Sequence, residues 1–203
     1  MISKYLIVGL VRLLTGVRAR WIGAEPELKQ RIYFANHTSN LDAVVIWAAL
    51  PDVIRCCTRP VAAHDYWTKG LVRPWLAKRV FNVVLIERKN VTVKNNPLVP
   101  MLAALNEGSS LIIFPEGGRT SGGGPGPFKN GIAHLALKRP DVEFLPVWID
   151  NVNRVLPKGE ILPVPMLGSV TIGAPLRWTE GEAKETFIER ARTALCSLGG
   201  VVA

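Results

Sequence analysis

The sequence predicts an α/β fold with a mostly parallel central sheet flanked by helices, and three observations support this. Short, continuously apolar segments recur along the chain, as in strands that are buried on both faces. Segments with helical spacing separate them, so strands and helices alternate. The chain has 203 residues, which is enough for one domain with a full hydrophobic core.

The first predicted element is an amphipathic helix over residues 1–16. On a helical wheel, Val8 shares one arc with the polar residues, and apolar residues fill most of the rest. That arc contains Lys4, Arg12, Thr15 and Gly16. Arg12 interrupts the apolar run, which argues against a secretory signal. The pattern favours a helix in the membrane interface over one that packs on the core. We therefore predict an interfacial helix over residues 1–22 and a globular domain over residues 23–203.

The domain should contain five buried strands, over residues 31–35, 82–86, 111–114, 144–149 and 169–172. Helices are predicted from Ser39 and over residues 97–106, 128–139 and 180–197. Pro146 indicates that the fourth of these strands is an edge strand or contains a bulge. Residues 117–127 are rich in glycine and proline and predict a loop or lid. They contain neither of the glycine motifs that bind nucleotides.

His37 follows the first predicted strand, and Asp42 lies at the start of the helix behind it. Ser39 with Asp42 three residues later resembles a capping box, in which the carboxylate points back toward the cap. Asp42 would then lie within reach of His37 and orient it as a general base. The alternative is a helix cap with a turn histidine beside it. This segment alone favours neither interpretation.

Three groups of polar residues each come just after a predicted strand: His37, Arg88 and residues 116–119. In open α/β sheets ligands bind at that edge, so we expect a single crevice there, which favours a functional role for His37. The planar guanidinium of Arg119 suits a phosphate group. Glu116 would hold Arg119 in place or bind a substrate hydroxyl. The alternative is a surface turn that carries a salt bridge.

Composition narrows the choice of partners. The net charge of +9, with 48% hydrophobic residues, favours an anionic membrane or a phosphorylated substrate. Nucleic acid is not expected, because the basic and aromatic residues form no RNP-type or zinc-finger pattern and no long basic tail is present. Residues 69–89 combine six cations with interleaved aromatic residues. They would dock on anionic headgroups, or form a solvated helix whose aromatic side chains lie in the core.

Other classes of protein have no support in the sequence. No apolar run approaches the ~20 residues of a membrane-spanning helix. The three cysteines form no disulfide framework, which indicates a reducing, cytosolic environment. Cysteines and histidines lack the spacing of a zinc site, so no metal is expected.

Two ordered motifs carry a family resemblance. Asn36-His37-x-x-x-x-Asp42 followed by Phe114-Pro115-Glu116-Gly117-x-Arg119 resembles the glycerolipid acyltransferase family, typified by 1-acylglycerol-3-phosphate acyltransferase. Three further segments are similar to that family: Ile86-Glu87-Arg88, Phe128-Lys129-Asn130-Gly131 and Leu145-Pro146-Val147. The similarity covers about residues 30–175. Three positions differ from the family's usual residues: Gly118 replaces threonine, Asn82 glycine and Leu85 phenylalanine.

The resemblance implies that residues 23–203 form an acyltransferase domain. His37 would take the proton from a lysolipid hydroxyl, and Asp42 would orient it. The glycerol phosphate would be bound by Arg88, Glu116, Gly117 and Arg119. The acyl donor would be acyl-CoA or acyl carrier protein, used as a co-substrate without a further cofactor or metal.

The implied product is phosphatidate, made from 1-acylglycerol-3-phosphate for phospholipid biosynthesis. The protein would be peripheral or monotopic at the cytoplasmic face of the cell membrane. Three alternatives stay open: an acyltransferase for another lysophospholipid, a hydrolase in which His37 activates water, and a non-catalytic lipid-binding protein.

Overall fold

The computed structural model describes residues 2–88, 92, 95–120, 124–150 and 168–200. Within them, seven strands form one sheet in the order β1-β7-β6-β2-β5-β3-β4. Neighbouring strands are parallel except for the antiparallel pair β6–β7. The strands are β1 Ala19–Trp21, β2 Arg31–Ala35, β3 Thr58–Ala63, β4 Val84–Ile86, β5 Ser110–Ile113, β6 Glu143–Asp150 and β7 Ser169–Ile172. The predicted α/β fold with a mostly parallel sheet is confirmed.

Helices cover both faces of this sheet. They are α1 Ile2–Thr15, α2 Asp42–Ala49, α3 Asp52–Arg55, α4 His64–Trp67, α5 Val72–Trp75, α6 Leu98–Asn106, α7 Gly131–Lys138 and α8 Lys184–Leu198. Helix α5 continues into a π-helical segment, Leu76–Phe81.

The core has two layers, one on each face of the sheet. Alternate residues of β2 serve both, because successive side chains of a strand point to opposite faces. Tyr33 and Ala35 join a layer that includes α1, α2 and the π-helical segment, which we call the α1–α2 layer. Ile32 and Phe34 join a layer formed with α6, α7 and α8, which we call the α6–α8 layer.

Several predicted boundaries change in the structure. Helix α2 begins at Asp42, not at Ser39, because the preceding loop folds around the Asp42 carboxylate. β4 begins at Val84, since Asn82 has a left-handed backbone (φ 48°) that ends the π-helical segment. β6 lies inside the sheet between β7 and β2, so the prediction of an edge strand at Pro146 is wrong. The pairing does shift by one residue beside Pro146: Val147 faces Ile172, whereas Phe144 faces Leu176.

Helix α1 packs on the domain through the arc that we predicted as its polar face. Val8 and Thr15 are buried, and Arg12 Nε donates a hydrogen bond to the Ala48 carbonyl oxygen at 3.1 Å. The leucine face is exposed instead, with Leu6 at 68% and Leu13 at 80%. The interpretation that α1 packs on the core is thus confirmed for one face, and a membrane role for the exposed leucine face stays a prediction.

β1 pairs with β7, so the sheet begins before the predicted boundary after residue 22. Within the described part of the chain, no helix has both the length and the apolar character needed to cross a bilayer.

Candidate active site

Four parallel strands, β2, β5, β3 and β4, end at one edge of the sheet and deliver the predicted site residues there. His37 comes two residues after β2, Glu116 three residues after β5 and Arg88 two residues after β4. His37, Arg88, Gly117 and Arg119 all line one cavity of about 320 Å³. The expected convergence of these residues on one crevice is therefore observed.

His37 and Asp42 form a hydrogen-bonded pair. Nδ1 of His37 lies 2.9 Å from Oδ2 of Asp42, and the Asp42 side chain is fully buried. The same oxygen accepts the backbone N–H groups of Thr38 at 2.7 Å and Ser39 at 2.8 Å. A carboxylate held by these donors is an acceptor for Nδ1–H, so we assign the tautomer in which Nε2 carries the free lone pair. The side chain of His37 is 20% exposed, which leaves the ring accessible from the cavity.

Glu116 holds the loop that carries His37 and does not point toward a ligand. Its Oε1 accepts the backbone N–H of His37 at 2.9 Å, and its Oε2 accepts the backbone N–H of Gly126 at 2.8 Å and the Thr120 hydroxyl at 3.1 Å. The residue is buried, with 8% exposed. Both oxygens are thus used within the protein, and the described contacts include no pairing with Arg119. Glu116 is better described as a positioning residue than as a substrate ligand.

Further contacts fix His37 from its other sides. The side-chain amide of Asn36 bonds both the N–H and the carbonyl of Ile149, which ties the end of β2 to β6. The Phe114 ring stacks on the His37 ring with centroids 4.2 Å apart. The N–H of Thr120 donates to the His37 carbonyl at 2.9 Å. The imidazole is therefore preorganised before any substrate binds.

The mouth of the cavity carries three cations. Arg88 pairs with Asp65 at 3.4 Å and is 40% exposed. Among the described residues, the Arg119 guanidinium and the Lys129 ammonium have no ion-pair partner, although both line the cavity. Glu87 is the acidic residue in the lining. Such a mouth suits an anionic group with several oxygens.

Deeper in the cavity the lining is apolar. Buried side chains from four elements of the α6–α8 layer and its strands face it: Val61, Met101, Ile113, Ile132 and Leu135. A charged mouth above an apolar interior fits an amphiphile, with its polar group beside His37 and an alkyl chain below.

Gly117 shapes the turn between β5 and the mouth. Its N–H closes a turn onto the Phe114 carbonyl at 3.0 Å, and its φ of 70° suits glycine. A Cβ here would lie 2.6 Å from Nζ of Lys129, so the lysine chain crosses directly over the glycine. The positive φ therefore accounts for glycine at this position, whereas the flexible Lys129 side chain could move aside for a Cβ.

Sequence reasoning missed Lys129, Gly126 and Thr120 as parts of this site. Lys129 follows the third motif and had a recognisable signal there, since it belongs to the Phe128-Lys129-Asn130-Gly131 stretch. Gly126 and Thr120 had no such signal, because their bonds to Glu116 depend on how the loop folds back. Residues 121–123 of that loop, and Lys89, lie outside the described residues.

Comparisons with known proteins agree with this geometry. The chain is 29% identical over 169 residues to the 1-acyl-sn-glycerol-3-phosphate acyltransferase of Limnanthes alba, covering 80% of this chain and 56% of that protein. It is 27% identical over 156 residues to the enzyme of that name from Haemophilus influenzae, covering 68% of this chain and 62% of that protein. The chain thus spans little more than half the length of these relatives.

The fold is similar to the crystal structure of the 1-acyl-sn-glycerophosphate (LPA) acyltransferase PlsC from Thermotoga maritima. The TM-score is 0.71 at 22% identity, covering 98% of this chain and 80% of that one. A family model described as Acyltransferase matches residues 23–150. That range is more than half of the chain and contains both main motifs, the histidine–aspartate pair and the cavity mouth. The chain therefore belongs to the acyltransferase family.

Proposed function

We propose that this protein transfers a fatty acyl group from an acyl thioester to the free hydroxyl of 1-acylglycerol-3-phosphate, giving phosphatidate. The observation that carries the proposal is the His37–Asp42 pair at 2.9 Å, set at the mouth of a cavity with a cationic rim and an apolar interior. The pair supplies a base, the rim suits the phosphate and the interior suits an alkyl chain.

In the proposed reaction, Nε2 of His37 takes the proton from the lysolipid hydroxyl as its oxygen attacks the thioester carbonyl carbon. The resulting imidazolium is stabilised by Asp42 through Nδ1. The tetrahedral intermediate then expels the thiolate, which receives the proton from His37. The new ester and the free thiol leave, and the histidine returns to its starting state. No acyl-enzyme is required, and the described residues that line the cavity include no serine, threonine or cysteine.

The rim cations support a phosphate-bearing acceptor. Arg119 and Lys129 would bind the phosphate oxygens directly, and Arg88 would exchange part of its contact with Asp65 for the substrate. Gly118 stands in this turn where the family usually has threonine, and a Cβ there would meet nothing within 4 Å. The open space supports testing other lysophospholipids as acceptors alongside 1-acylglycerol-3-phosphate.

The donor and the location belong to the same proposal. Acyl-CoA or acyl carrier protein would deliver the acyl group from the cytoplasmic side. The protein would lie at the membrane surface, attached in part by the exposed leucine face of α1. Apolar side chains held in water without a partner support this attachment.

The test is thiol release from a long-chain acyl-CoA in detergent micelles, with and without 1-acylglycerol-3-phosphate. We expect release to require the acceptor and to fall about 10²–10⁴-fold in His37→Ala, the usual contribution of a general base. His134→Ala is the matched control, because His134 lies on α7 outside the cavity lining. Circular dichroism would verify that both variants are folded.

Other outcomes separate the alternatives. Release without an acceptor would indicate a hydrolase. If no release occurs with acyl-CoA, acyl carrier protein or other lysolipids, the protein is a binding protein and the proposal fails. Full activity of the His37→Ala variant would exclude His37 as the general base.

A further inference from the structure

The connection between β3 and β4, residues 64–83, exposes large apolar side chains to solvent. After α4 the chain turns at Gly70 (φ 74°) and exposes Leu71 at 93%, Val72 at 67% and Trp75 at 48%. We call residues 69–75 the apex. It is continuous with well-packed structure, because Ala77, Val80 and Phe81 of the following π-helical segment are buried in the α1–α2 layer. The exposure is thus a local feature of a firmly anchored element.

The segment that carries the apex contains several cations and no acidic residue. Four exposed cations, Lys69, Arg73, Lys78 and Arg79, lie between residues 69 and 86, a stretch that contains neither aspartate nor glutamate. Exposed apolar side chains interspersed in the sequence with Lys and Arg, together with a tryptophan, match the interface of an anionic bilayer. A protein partner would also need a complementary apolar groove, whereas a bilayer accepts any protruding apolar group.

The apex adjoins the cavity. Helix α4 places Tyr66 and Trp67 in the cavity lining, and Gly70 follows within three residues. The guanidinium carbon of Arg73 lies 4.3 Å from the centroid of the Tyr66 ring, a cation–π contact that holds the apex against the cavity rim. A bilayer that receives Leu71 and Trp75 would therefore lie next to the cavity opening.

We propose that the apex, with Leu71, Val72 and Trp75 as inserted side chains and Lys69, Arg73, Lys78 and Arg79 as headgroup ligands, is a membrane-docking site that sets the cavity mouth against an anionic bilayer. Lipid substrates would then pass between bilayer and cavity without crossing water. The inference rests on the proposed function only in taking the substrate to be a lipid. The docking itself is measured without turnover.

The experiment is sedimentation of the full chain with vesicles of phosphatidylcholine alone or mixed with phosphatidylglycerol. We expect Leu71→Ser with Val72→Ser to weaken binding to the mixed vesicles at least tenfold. The matched control is Val99→Ser with Leu137→Ser, because these side chains are also exposed, at 62% and 43%, but belong to helices of the α6–α8 layer. That pair should bind like the wild type.

Charge is tested separately. Lys78→Glu should weaken binding to phosphatidylglycerol vesicles by more than fivefold, since removing one surface cation alone is worth about that factor. It should leave the weak binding to phosphatidylcholine unchanged. Lys138→Glu, at an exposed lysine of α7, makes the same change in net charge away from the apex, and it should weaken binding by less than about twofold because distant charges are screened.

Activity distinguishes failure of this inference from failure of the proposed function. The Leu71/Val72 variant should keep wild-type thiol release with a short-chain, micelle-free lysolipid and lose it when the lysolipid is in vesicles. If the variant binds vesicles like the wild type, the docking site is wrong even when turnover is normal. The variant could also bind vesicles normally and lose thiol release only when acyl carrier protein is the donor. That result would assign the apex to binding of acyl carrier protein and would also overturn the proposal.

Discussion

Two carboxylates with different tasks hold His37, the proposed general base. Asp42 contacts the ring at Nδ1 and is itself fixed by two backbone N–H groups. Glu116 contacts the backbone of His37 and binds Gly126 and Thr120 with its other oxygen. One carboxylate therefore sets the orientation of the imidazole, and the other sets the position of the loop that carries it.

Glu116→Gln should separate positioning from substrate binding. A glutamine keeps the shape but turns one acceptor into an NH₂ donor, which would face a backbone N–H and cost about 2 kcal/mol of stability. We expect kcat to fall at least tenfold, because His37 shifts, while KM for the lysolipid changes less than twofold. Steady-state kinetics against acceptor concentration measure both values.

Glu189→Gln, at an exposed position on α8, is the control for this variant and should match the wild type. A large rise in KM with kcat unchanged would contradict the positioning role. It would return Glu116 to the substrate ligands that the family resemblance implied.

Which residues of the site were predictable depends on how far apart their partners are in the sequence. His37 and Asp42 are five residues apart, so a local turn argument anticipates their contact. Glu116 reaches His37 across 79 residues, and only the register of β2 against β5 brings them together. Asn82, which replaces the glycine usual in the family, has a left-handed backbone with a φ of 48°. Glycine and asparagine are the residues that tolerate this conformation, so the replacement keeps the same turn.

At the scale of whole elements, the sequence predicted the continuously apolar strands and missed the strands that are short or contain polar residues or proline. β2 and β7 have the predicted bounds, and β5 and β6 differ by one residue at each end. β3 escaped because Arg59 and Pro60 interrupt its apolar pattern, and β1 because it has three residues. Both are strands whose place in the sheet comes from their neighbours rather than from their own sequence.

Helix α8 is tied to the loop before it by a pair of charge-assisted hydrogen bonds. Arg190 donates to both oxygens of Glu182, Nε at 2.7 Å and Nη2 at 2.9 Å, and the Glu182 side chain is only 6% exposed. The hydrogen bonds from Arg190 outweigh the effect of burial and hold the pKa of Glu182 below its usual value. The folded state therefore favours the ionised form more than the unfolded state does.

This pairing predicts a pH dependence of stability. The contribution of Glu182 is fully present above the usual glutamate pKa of about 4.3 and is lost as the pH falls through the lowered folded value. Glu182→Gln should cost about 1–2 kcal/mol at pH 7, and the difference from the wild type should shrink below about pH 4. Unfolding by urea at a series of pH values measures this difference in the free energy of unfolding.

Glu185→Gln, at an exposed neighbouring position on α8, is the control and should show no change of this difference with pH. A cost for Glu182→Gln that is the same at every pH would contradict the argument.

At the scale of the whole molecule, the two faces of the sheet differ in what they expose. Two groups of exposed apolar side chains, the leucine face of α1 and the apex, belong to elements of the α1–α2 layer. The net charge of +9 adds a long-range attraction to anionic surfaces, screened over about 10 Å at 0.1 M salt. We therefore expect α1 and the apex to bind the same bilayer at once. The second contact is then intramolecular and gains from effective concentration.

Such paired attachment predicts more than additive loss of vesicle binding. Leu10→Gln with Leu13→Gln removes exposed leucines of α1 and leaves Val8, which packs on the core, so the fold should be retained. This variant and the Leu71/Val72 variant should each weaken binding at least tenfold. The variant that combines all four substitutions should show only the residual vesicle binding that the wild type shows at 0.5 M salt. The combined variant could instead bind as well as the two-residue variant that has lost more vesicle binding. That result would mean that only one surface meets the bilayer. The position of both surfaces in one layer would then have no role in docking.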